Sequence, residues 1–435
     1  MIKVLKAELE INNDNLKDTI ENDILNRNSK LINFSKILSS LNENLFISID
    51  GRWGSGKTFF VKQFEYLVNN VDLFNKNIIS DDDKIFFRNL KETNLIVYYN
   101  AWENDYHTNV FESIIYNILD KYPNLKNQSH NFKDVRNIIG SFIRNFVLQS
   151  SKGIFDIDNL NKMETFESLS KNIKTIEERI DDFNVLIDEL LGKKQRLILI
   201  IDELDRCKPT FAVEVLEVLK HFYSNNKITI IVSTNNVELS NTIRKYYGND
   251  FDGYGYLNKF YDFIISLDIQ DIKLYIQRKY HKLIDTHIFD DMSYLVMDYF
   301  NFSLRECNKY MTLYNILNNY FYNQYSFNKN INYVYTSVFL PLALGLKIAD
   351  VNRYDKFINK QGKDIINNFL NKKVVGTKYE SHLKHLINVI ETDNYKEIIL
   401  NTYDNMFNNN DAYNKYPFMD AISMLGTDII INNEK

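Results

Sequence analysis

A glycine-rich loop directly after an apolar run limits the fold of this chain more than any other feature. Residues 46–60 read FISIDGRWGSGKTFF, where the apolar run ends at Asp50 and the pattern G-x-x-x-x-G-K-[ST] extends from Gly51 to Thr58. This pattern predicts a strand, a loop whose backbone N–H groups cradle phosphate, and a helix that begins near Thr58. An ordinary glycine-rich turn between a strand and a helix is the alternative interpretation.

The residue types of the loop suit a close approach to phosphate. Gly54 and Gly56 permit unusual backbone dihedral angles and put no side chain between the backbone and a ligand. The N–H groups of residues 54–58 are expected to converge on one anion at the positive end of the following helix. Lys57 is predicted to reach the β- and γ-phosphates, and the hydroxyl of Thr58 to hold Mg²⁺. The loop therefore predicts nucleotide binding.

Further apolar runs along the chain predict the rest of the sheet. They are apolar almost throughout, which is typical of a parallel sheet covered by helices on both faces, and helical patterns separate them. The five predicted strands are Phe46–Asp50, Leu95–Asn100, Arg196–Asp202, Ile228–Thr234 and Phe260–Leu267. The sequence therefore predicts an α/β fold. Beyond Asp268 only helical patterns with Asn-rich connections follow, which predicts an all-helical C-terminal region.

About 90 polar residues with helical patterns separate the second and third strands, which is far longer than an ordinary crossover and predicts an insertion. Within it, apolar residues recur at alternating steps of three and four, as in a heptad seam. They are Phe166, Leu169, Ile173, Ile176, Ile180, Phe183, Ile187 and Leu190. This stripe is expected to pack on the sheet core or on a hairpin partner; a coiled coil with another subunit is the alternative.

The third strand is followed by acidic residues that can complete a catalytic site. In RLILIIDELDRC, Asp202 ends the strand and is placed to hold Mg²⁺ directly or through water, and Glu203 is placed to polarise an attacking water molecule. Either acid has a second interpretation, as the N-cap of the following helical stretch.

Three other strand-end residues are expected at the same edge, because ligands of open parallel sheets lie beyond the carboxyl ends of the strands. Asn100 ends the second strand, and its amide can hydrogen-bond Glu203 and hold it away from water until a partner arrives. Thr234 and Asn235 end the fourth strand and are candidate sensors of the γ-phosphate. Each of these residues has the alternative interpretation of a strand terminator or turn. The candidate arginines for transition-state charge are Arg206, Arg244 and Arg305.

Composition and charge narrow the class of protein. The net charge of −5 argues against a surface built to coat nucleic acid, although a local basic groove is compatible with it. Only two cysteines occur, Cys207 and Cys307, and their spacing fits neither a disulfide framework nor a metal site, so a reducing cytoplasm is expected. The longest apolar runs, such as Val338 to Leu346, are far shorter than the roughly 20 residues that span a bilayer.

Taken together, the segments resemble the KAP family of P-loop NTPases, a branch of the additional-strand class that is close to AAA+ and STAND ATPases. The matching segments occur in the family's order over roughly the first 315 residues. They are DILNR from Asp23, GRWGSGKT from Gly51, YNAWEND from Tyr99, IIDELDRCKP from Ile200, IIVSTN from Ile230, YLNKFYDFIISL from Tyr256 and FSLRECNKYM from Phe302.

The resemblance implies a sheet of order 5-1-4-3-2 followed by a helical lid. It implies that Arg27 lies near the base or ribose, that Asn235 is the sensor of the fourth strand, and that Arg305 is the lid arginine that touches nucleotide. The positions predicted for the nucleotide are therefore Arg27, Trp53, Gly54, Ser55, Gly56, Lys57, Thr58 and Phe59. The implied domains are the NTPase core at 1–268 with its insertion at about 105–192, the lid at 269–325, and a helical domain at 326–435.

The chain departs from the family in two places. Glu203 stands where an aspartate is common, which keeps the carboxylate. Many members carry transmembrane helices in the NTPase domain, whereas the most apolar part of this insertion, Ile138 to Leu148, contains Arg144, so no membrane span is expected.

The leading functional hypothesis is Mg²⁺-dependent ATP hydrolysis that drives a conformational or assembly switch. As the resemblance to soluble bacterial members implies, the switch controls an effector encoded nearby in phage defence, and homo-oligomerisation is expected. Adenine rather than guanine rests on the resemblance, since NNVE at 235–238 matches N-K-x-D poorly. A DNA-stimulated remodeller, suggested by the lysines of 372–378, and an ATP-binding scaffold with little turnover are the alternatives.

Overall fold

The computed structural model describes residues 10–40, 43–121, 176–267, 271–280, 287–324, 334–386 and 395–406. The chain divides into two compact units, each of which is described by itself. We call Ser29–Gly51 with Lys57–Leu267 the sheet unit, and Met1–Asn28 with Arg52–Gly56 and Asp268–Lys435 the helical unit. The domain boundaries expected from the sequence remain a prediction.

The described elements follow one another with short connections. Up to the second strand they are α1 (Asn13–Glu21), α2 (Asn28–Ser40), β1 (Phe46–Asp50), α3 (Lys57–Asn70), α4 (Asp81–Thr93) and β2 (Asn94–Asn100). Next come α5 (Val110–Lys121), α6 (Ile176–Leu191), β3 (Arg196–Asp202), α7 (Pro209–Tyr223), β4 (Ile228–Thr234), α8 (Asn236–Tyr247), α9 (Gly253–Asn258) and β5 (Phe263–Ser266). The remaining ones are α10 (Ile272–Tyr280), α11 (His287–Tyr299), α12 (Leu304–Gln324), α13 (Leu340–Ala349), α14 (Val351–Ile358), α15 (Lys363–Phe369), α16 (Lys378–Leu386) and α17 (Tyr395–Met406).

The five strands form one parallel sheet in the order β2-β3-β4-β1-β5. Read from the other edge this is 5-1-4-3-2, so the predicted α/β fold and strand order are confirmed. The extra strand β4 separates β1 from β3. Three of the five strands have the predicted bounds, because continuous β-branched runs such as that of β3 are buried along their whole length.

The fifth strand is shorter than expected. It covers Phe263–Ser266 rather than Phe260–Leu267, and its residues alternate between half-buried and exposed, with Ile264 40% exposed. The reason is its position at the edge of the sheet, where it pairs with β1 on one side. An apolar composition therefore predicted this strand but not its exposure.

The register brings polar residues to one edge of the sheet. Asp50 lies beside Thr234, and Asn100 beside Asp202. Because all strands run the same way, these four residues stand at the carboxyl ends of their strands, where open parallel sheets bind ligands.

The predicted insertion is described at its two ends, by α5 and α6. The last part of the heptad stripe, Ile187 and Leu190, is buried in the same hydrophobic core as β2 and β3. This favours packing on the sheet core for that part of the seam. Its earlier positions Phe166, Leu169 and Ile173, and the stretch around Arg144, lie outside the described residues.

In the helical unit, every regular element described beyond residue 270 is helical, in agreement with the predicted all-helical C-terminal region. One core joins α10 to α17 and is rich in tyrosine. Buried phenols in it find polar partners: Tyr275 and Tyr280 donate to Oδ1 of Asn308 at 2.7 and 3.0 Å, and Tyr403 accepts from the N–H of Gly362 at 2.8 Å. Such satisfied hydroxyls let tyrosine contribute its large apolar area to a core.

Candidate functional site

The loop between β1 and α3 has the backbone that its sequence predicts. Gly54 and Gly56 have φ angles of +77° and +86°, in the left-handed region where a side chain is strained. The N–H of Ser55 donates to the carbonyl of Arg52 at 3.1 Å, which closes a turn inside the loop. The two glycines are therefore required by backbone conformation.

Gly54 is also required by a close neighbour within the helical unit. The N–H of Arg305, in the first turn of α12, donates to the Gly54 carbonyl at 3.2 Å. A Cβ on Gly54 would lie 2.7 Å from Cβ of Arg305 and 2.8 Å from Oγ of Ser303. Ser303 and Glu306 cap α12 reciprocally, at 2.7 and 3.3 Å, so this helix start cannot shift cheaply. The structure thus places Arg305 against the loop through its backbone.

The carbonyl groups of the loop are bound by Arg27. Its Nη2 donates to the Ser55 carbonyl at 2.7 Å and its Nη1 to the Gly56 carbonyl at 3.2 Å. The Arg27 side chain is buried, with the residue 4% exposed. This is the contact the structure gives for the guanidinium; a role near the base or ribose stays a prediction.

Ser55 supplies a direct test of whether the loop fits an anionic ligand. Its hydroxyl is buried and has no hydrogen-bond partner within the described part of the chain. A buried hydroxyl without a partner costs roughly 1–3 kcal/mol, and a phosphate oxygen that accepts its proton would remove that cost. Together with the cradle that a Cβ at Gly54 would fill, this orphaned hydroxyl fits a phosphate group.

In the sheet unit, Lys57 opens α3 with an ammonium group that is held and partly desolvated. Its Nζ donates to the Gly51 carbonyl at 2.6 Å, and the residue is 9% exposed. Burial lowers the pKa of the ammonium, although the carboxylates of Asp205, Asp202 and Asp50 oppose that shift. A cation in this position lacks water and gains from a phosphate oxygen that replaces it.

Asp202 is the fully buried carboxylate at the end of β3, and its two oxygens have different donors. Tyr98 donates to Oδ2 at 3.0 Å, and the N–H of Glu203 donates to Oδ1 at 3.0 Å. Among the described residues no group of three or more His, Cys, Asp or Glu forms a metal cage. This suits Mg²⁺, which is usually held by one or two carboxylates together with substrate phosphates. Thr58, half-buried in the first turn of α3, carries the second predicted ligand.

Glu203 has an unusual backbone and an engaged side chain. Its φ is +60°, which is uncommon for a residue with a side chain and is found at functional sites. Its carboxylate pairs with Nη2 of Arg206 at 3.0 Å and accepts a hydrogen bond from the Asn100 side chain. Burial raises the pKa of Glu203, and Arg206 and Asn100 act against that shift. Although Glu203 occupies an N-cap position, its side chain makes no capping bond.

Asn100 is fixed for this contact by its own turn. Its Oδ1 accepts from the N–H groups of Trp102 and Glu103 at 3.1 and 3.3 Å, so its amide nitrogen is the group left to donate to Glu203. Trp102 in turn lies over Arg206, with the guanidinium carbon 5.3 Å from the ring centroid. The predicted contact between Asn100 and Glu203 is therefore present, and Arg206 is a second restraint.

The end of β4 is buried in polar contacts. Thr234 donates to Oδ1 of Asp205 at 3.0 Å, with both residues almost fully buried. Asn235 caps α8 by accepting from the N–H of Glu238 at 3.4 Å, and the N–H of Asn236 donates to Oδ1 of Asp50 at 2.9 Å. These bonds hold the strand ends together; a sensor role for Asn235 stays a prediction.

The remaining predicted residues have less distinctive surroundings. Trp53 is 48% exposed in the loop, and Phe59 is buried on α3 at 7% exposure. Arg244 lies exposed in the last turn of α8. Sequence reasoning missed Tyr98 and Asp205. Tyr98 was detectable because it precedes Asn100 by two residues and thus shares its face of β2, and Asp205 because it is the second aspartate of DELD.

Comparison with known proteins gives one family. A model described as the KAP family P-loop domain matches residues 27–320, more than half of the chain. None of the curated proteins matches the chain. Within the described residues no helix has the length and apolar character needed to cross a membrane.

Proposed function

Because the chain belongs to the KAP family of P-loop NTPases, we propose that it binds ATP with Mg²⁺ and hydrolyses it in a regulated way. The family supports nucleotide-dependent activity. The further proposal is that the bound and hydrolysed states differ in conformation or assembly, and that this difference controls a partner effector. The preference for ATP and the phage-defence setting rest on the resemblance to soluble bacterial members.

The observation that carries the proposal is the restrained carboxylate of Glu203. A water-polarising base needs a free carboxylate oxygen directed at the water molecule. Here both Arg206 and Asn100 contact that carboxylate, beside the buried Asp202 and with the strained backbone that places it. An NTPase that releases these contacts only in one state turns over slowly until that state is reached.

The roles of the other side chains follow from their chemistry. Lys57 would bind phosphate oxygens, since its partly desolvated ammonium now has a carbonyl and three nearby carboxylates around it. Asp202 and Thr58 would hold Mg²⁺, which supplies charge neutralisation for the phosphates. Tyr98 keeps the Asp202 carboxylate oriented, and Glu203 takes up the proton side of the hydrolytic step.

The test separates binding from turnover with two substitutions. Lys57→Ala is expected to abolish binding of a fluorescent ATP analogue, whereas Glu203→Gln is expected to bind it and lose about a hundredfold or more of the phosphate-release rate. Exchange of the exposed Lys76 for Ala is the matched control and is expected to change neither. If both site variants hydrolyse ATP at the wild-type rate, the proposed function is wrong.

The switch and effector parts need a separate experiment. Cells that carry the gene with its neighbours are challenged with phage, and wild type is compared with Lys57→Ala and Glu203→Gln. Protection lost in both variants supports a cycle of binding and turnover. Protection that survives both would separate this protein from defence while leaving its hydrolysis in place.

A scaffold that binds ATP with little turnover is the second candidate function. The Glu203–Arg206 ion pair favours it, because a carboxylate held by a guanidinium is a poor base. Turnover distinguishes the two. Bound ATP that persists over many hours, with candidate partners present, favours the scaffold.

A further inference from the structure

Arg27 binds the phosphate loop from behind rather than extending past it. Its guanidinium spans two consecutive peptide units, donating at 2.7 Å to the Ser55 carbonyl and at 3.2 Å to the Gly56 carbonyl. A Cβ on Gly56 would lie 3.1 Å from its Nη1, so the guanidinium is packed against the loop backbone. All of these residues except Lys57, which follows Gly56, belong to the helical unit.

Peptide geometry gives this contact a consequence on the opposite side of the loop. In a trans peptide the C=O and the N–H point in opposite directions. The carbonyls of Ser55 and Gly56 belong to the peptides whose N–H groups are those of Gly56 and Lys57. Because Arg27 draws both carbonyls toward itself, both N–H groups point away from it, and its charge polarises the two peptides in that sense. Such converging N–H groups form an anion site.

Arg27 is itself held by neighbours in the helical unit. Its N–H donates to Oδ1 of Asp23 at 2.9 Å, and Oδ2 of Asp23 pairs with Arg278 at 3.1 Å. Asp23 has φ +44°, a strained conformation that these contacts maintain. A buried arginine fixed at both its backbone and its guanidinium loses little further freedom when a ligand arrives, which is the requirement for preorganisation.

We propose that Arg27 is a positioning residue for the phosphate-binding backbone, which acts through the Ser55 and Gly56 carbonyls and needs no contact with base or ribose. The proposal rests on the proposed function, since it concerns the same site. It assigns Arg27 a part in binding the polyphosphate portion of the ligand. Any ligand with that portion should therefore depend on Arg27 equally, whether or not it carries a nucleoside.

The experiment compares ligands with and without a nucleoside. A fluorescent ATP analogue bound to the full chain is displaced by ATP or by inorganic tripolyphosphate, both with Mg²⁺, for wild type, Arg27→Met and Arg27→Lys. Arg27→Met is expected to weaken both competitors by the same factor, about tenfold or more. Arg27→Lys is expected to recover part of this loss, because one ammonium keeps the charge but lacks the planar fork. Arg353→Met, which removes an exposed ion pair in the same unit, is the control and should bind as wild type.

A second readout follows the loop without any ligand. The chain has two tryptophans, so in a Trp102→Phe background Trp53 alone reports on the loop. Arg27→Met is expected to change the Trp53 emission, and Arg353→Met is not. Circular dichroism verifies that each variant is folded, and Arg27→Lys replaces Arg27→Met should the latter unfold.

The outcomes are distinct. Weakened ATP with unchanged tripolyphosphate would place Arg27 at the base or ribose and overturn the inference. Unchanged affinity for both ligands, or a wild type that tripolyphosphate does not displace from, would also overturn it while leaving ATP binding intact. A wild type that binds no nucleotide at all removes the proposed function itself.

Discussion

Tyr98 donates its phenolic hydrogen bond to Oδ2 of Asp202 at 3.0 Å, across the neighbouring strands β2 and β3. Burial and the Asp202 carboxylate raise the pKa of Tyr98, so the phenol keeps its proton. Lys62 lies over the Tyr98 ring, with Nζ 3.3 Å from the centroid, and fixes its position. The carboxylate oxygen opposite a metal ion is commonly oriented by such a partner.

Tyr98→Phe is therefore expected to weaken the Mg²⁺ dependence of hydrolysis. Loss of an orienting hydrogen bond to a metal ligand typically costs about 10- to 100-fold in metal affinity or activity. We expect the Mg²⁺ concentration for half-maximal phosphate release to rise by about tenfold, with ATP binding in the absence of metal unchanged.

Tyr99→Phe is the matched control for that variant. Tyr99 is the next residue of β2 and shares its phenolic hydrogen bond with Ser113 at 2.9 Å, on the other face of the strand. Its loss is expected to lower stability by about 1 kcal/mol without moving the Mg²⁺ dependence. Equal shifts in both variants would mean that Tyr98 acts through general stability.

The bond between Asn100 and Glu203 predicts a gain of activity. Asn100→Ala removes one of the two restraints on the Glu203 carboxylate, and we expect phosphate release without any partner to rise several-fold. Asn104→Ala is the control, since its Nδ2 donates to the Asn100 carbonyl at 2.8 Å and its loss disturbs the same turn. A fall in rate with Asn100→Ala would show that the amide assists the base rather than restraining it.

The sheet could be predicted from sequence because each strand carries its own signal. Buried parallel strands need continuous apolar runs, and three such runs, including Arg196–Asp202, have the predicted bounds. Strand order came from the resemblance, since run composition says nothing about neighbours. The exposure of β5 was missed for the same reason: residues 263–266 are apolar, but edge position depends on the order of the other strands.

The candidate site was predicted as far as residue type and strand ends allow. Asp202, Glu203 and Asn100 were found because polar residues that end apolar strands are visible in the sequence. The contacts that restrain them were not, because Tyr98 lies inside a strand that reads as core. Arg27 precedes the loop carbonyls it binds by 28 and 29 residues, a separation that no local pattern encodes.

Gly54→Ala tests crowding separately from backbone strain. Gly54 and Gly376 have φ angles of +77° and +76° and lie in the same unit, but a Cβ meets Arg305 and Ser303 at Gly54 and nothing within 4 Å at Gly376. Gly376→Ala is expected to cost about 1–2 kcal/mol for the left-handed backbone alone. Gly54→Ala should add about 1–3 kcal/mol of overpacking and weaken ATP binding. Equal losses in urea unfolding would argue that the start of α12 yields freely.

Glu65 predicts a pH-dependent part of the stability of the sheet unit. On α3 it pairs with Lys121 of α5 and with Lys62 at 3.1 Å. Burial alone would raise the pKa of Glu65, but Lys121 and Lys62 outweigh it and hold the pKa below its usual value. A carboxyl whose pKa is depressed by folding stabilises the fold above its unfolded pKa, and this contribution is lost as the pH falls through the folded pKa.

Glu65→Gln is accordingly expected to lower the free energy of unfolding by about 1 kcal/mol at pH 7.5, and by progressively less as the pH falls below the ordinary glutamate value. The measurement is urea unfolding of both proteins across that range. Glu92→Gln, an exposed glutamate of α4, is the control and should change stability little at any pH. A Glu65→Gln deficit that stays constant with pH would show that the side chain contributes packing rather than charge, because only the ion pairs are removed by protonation.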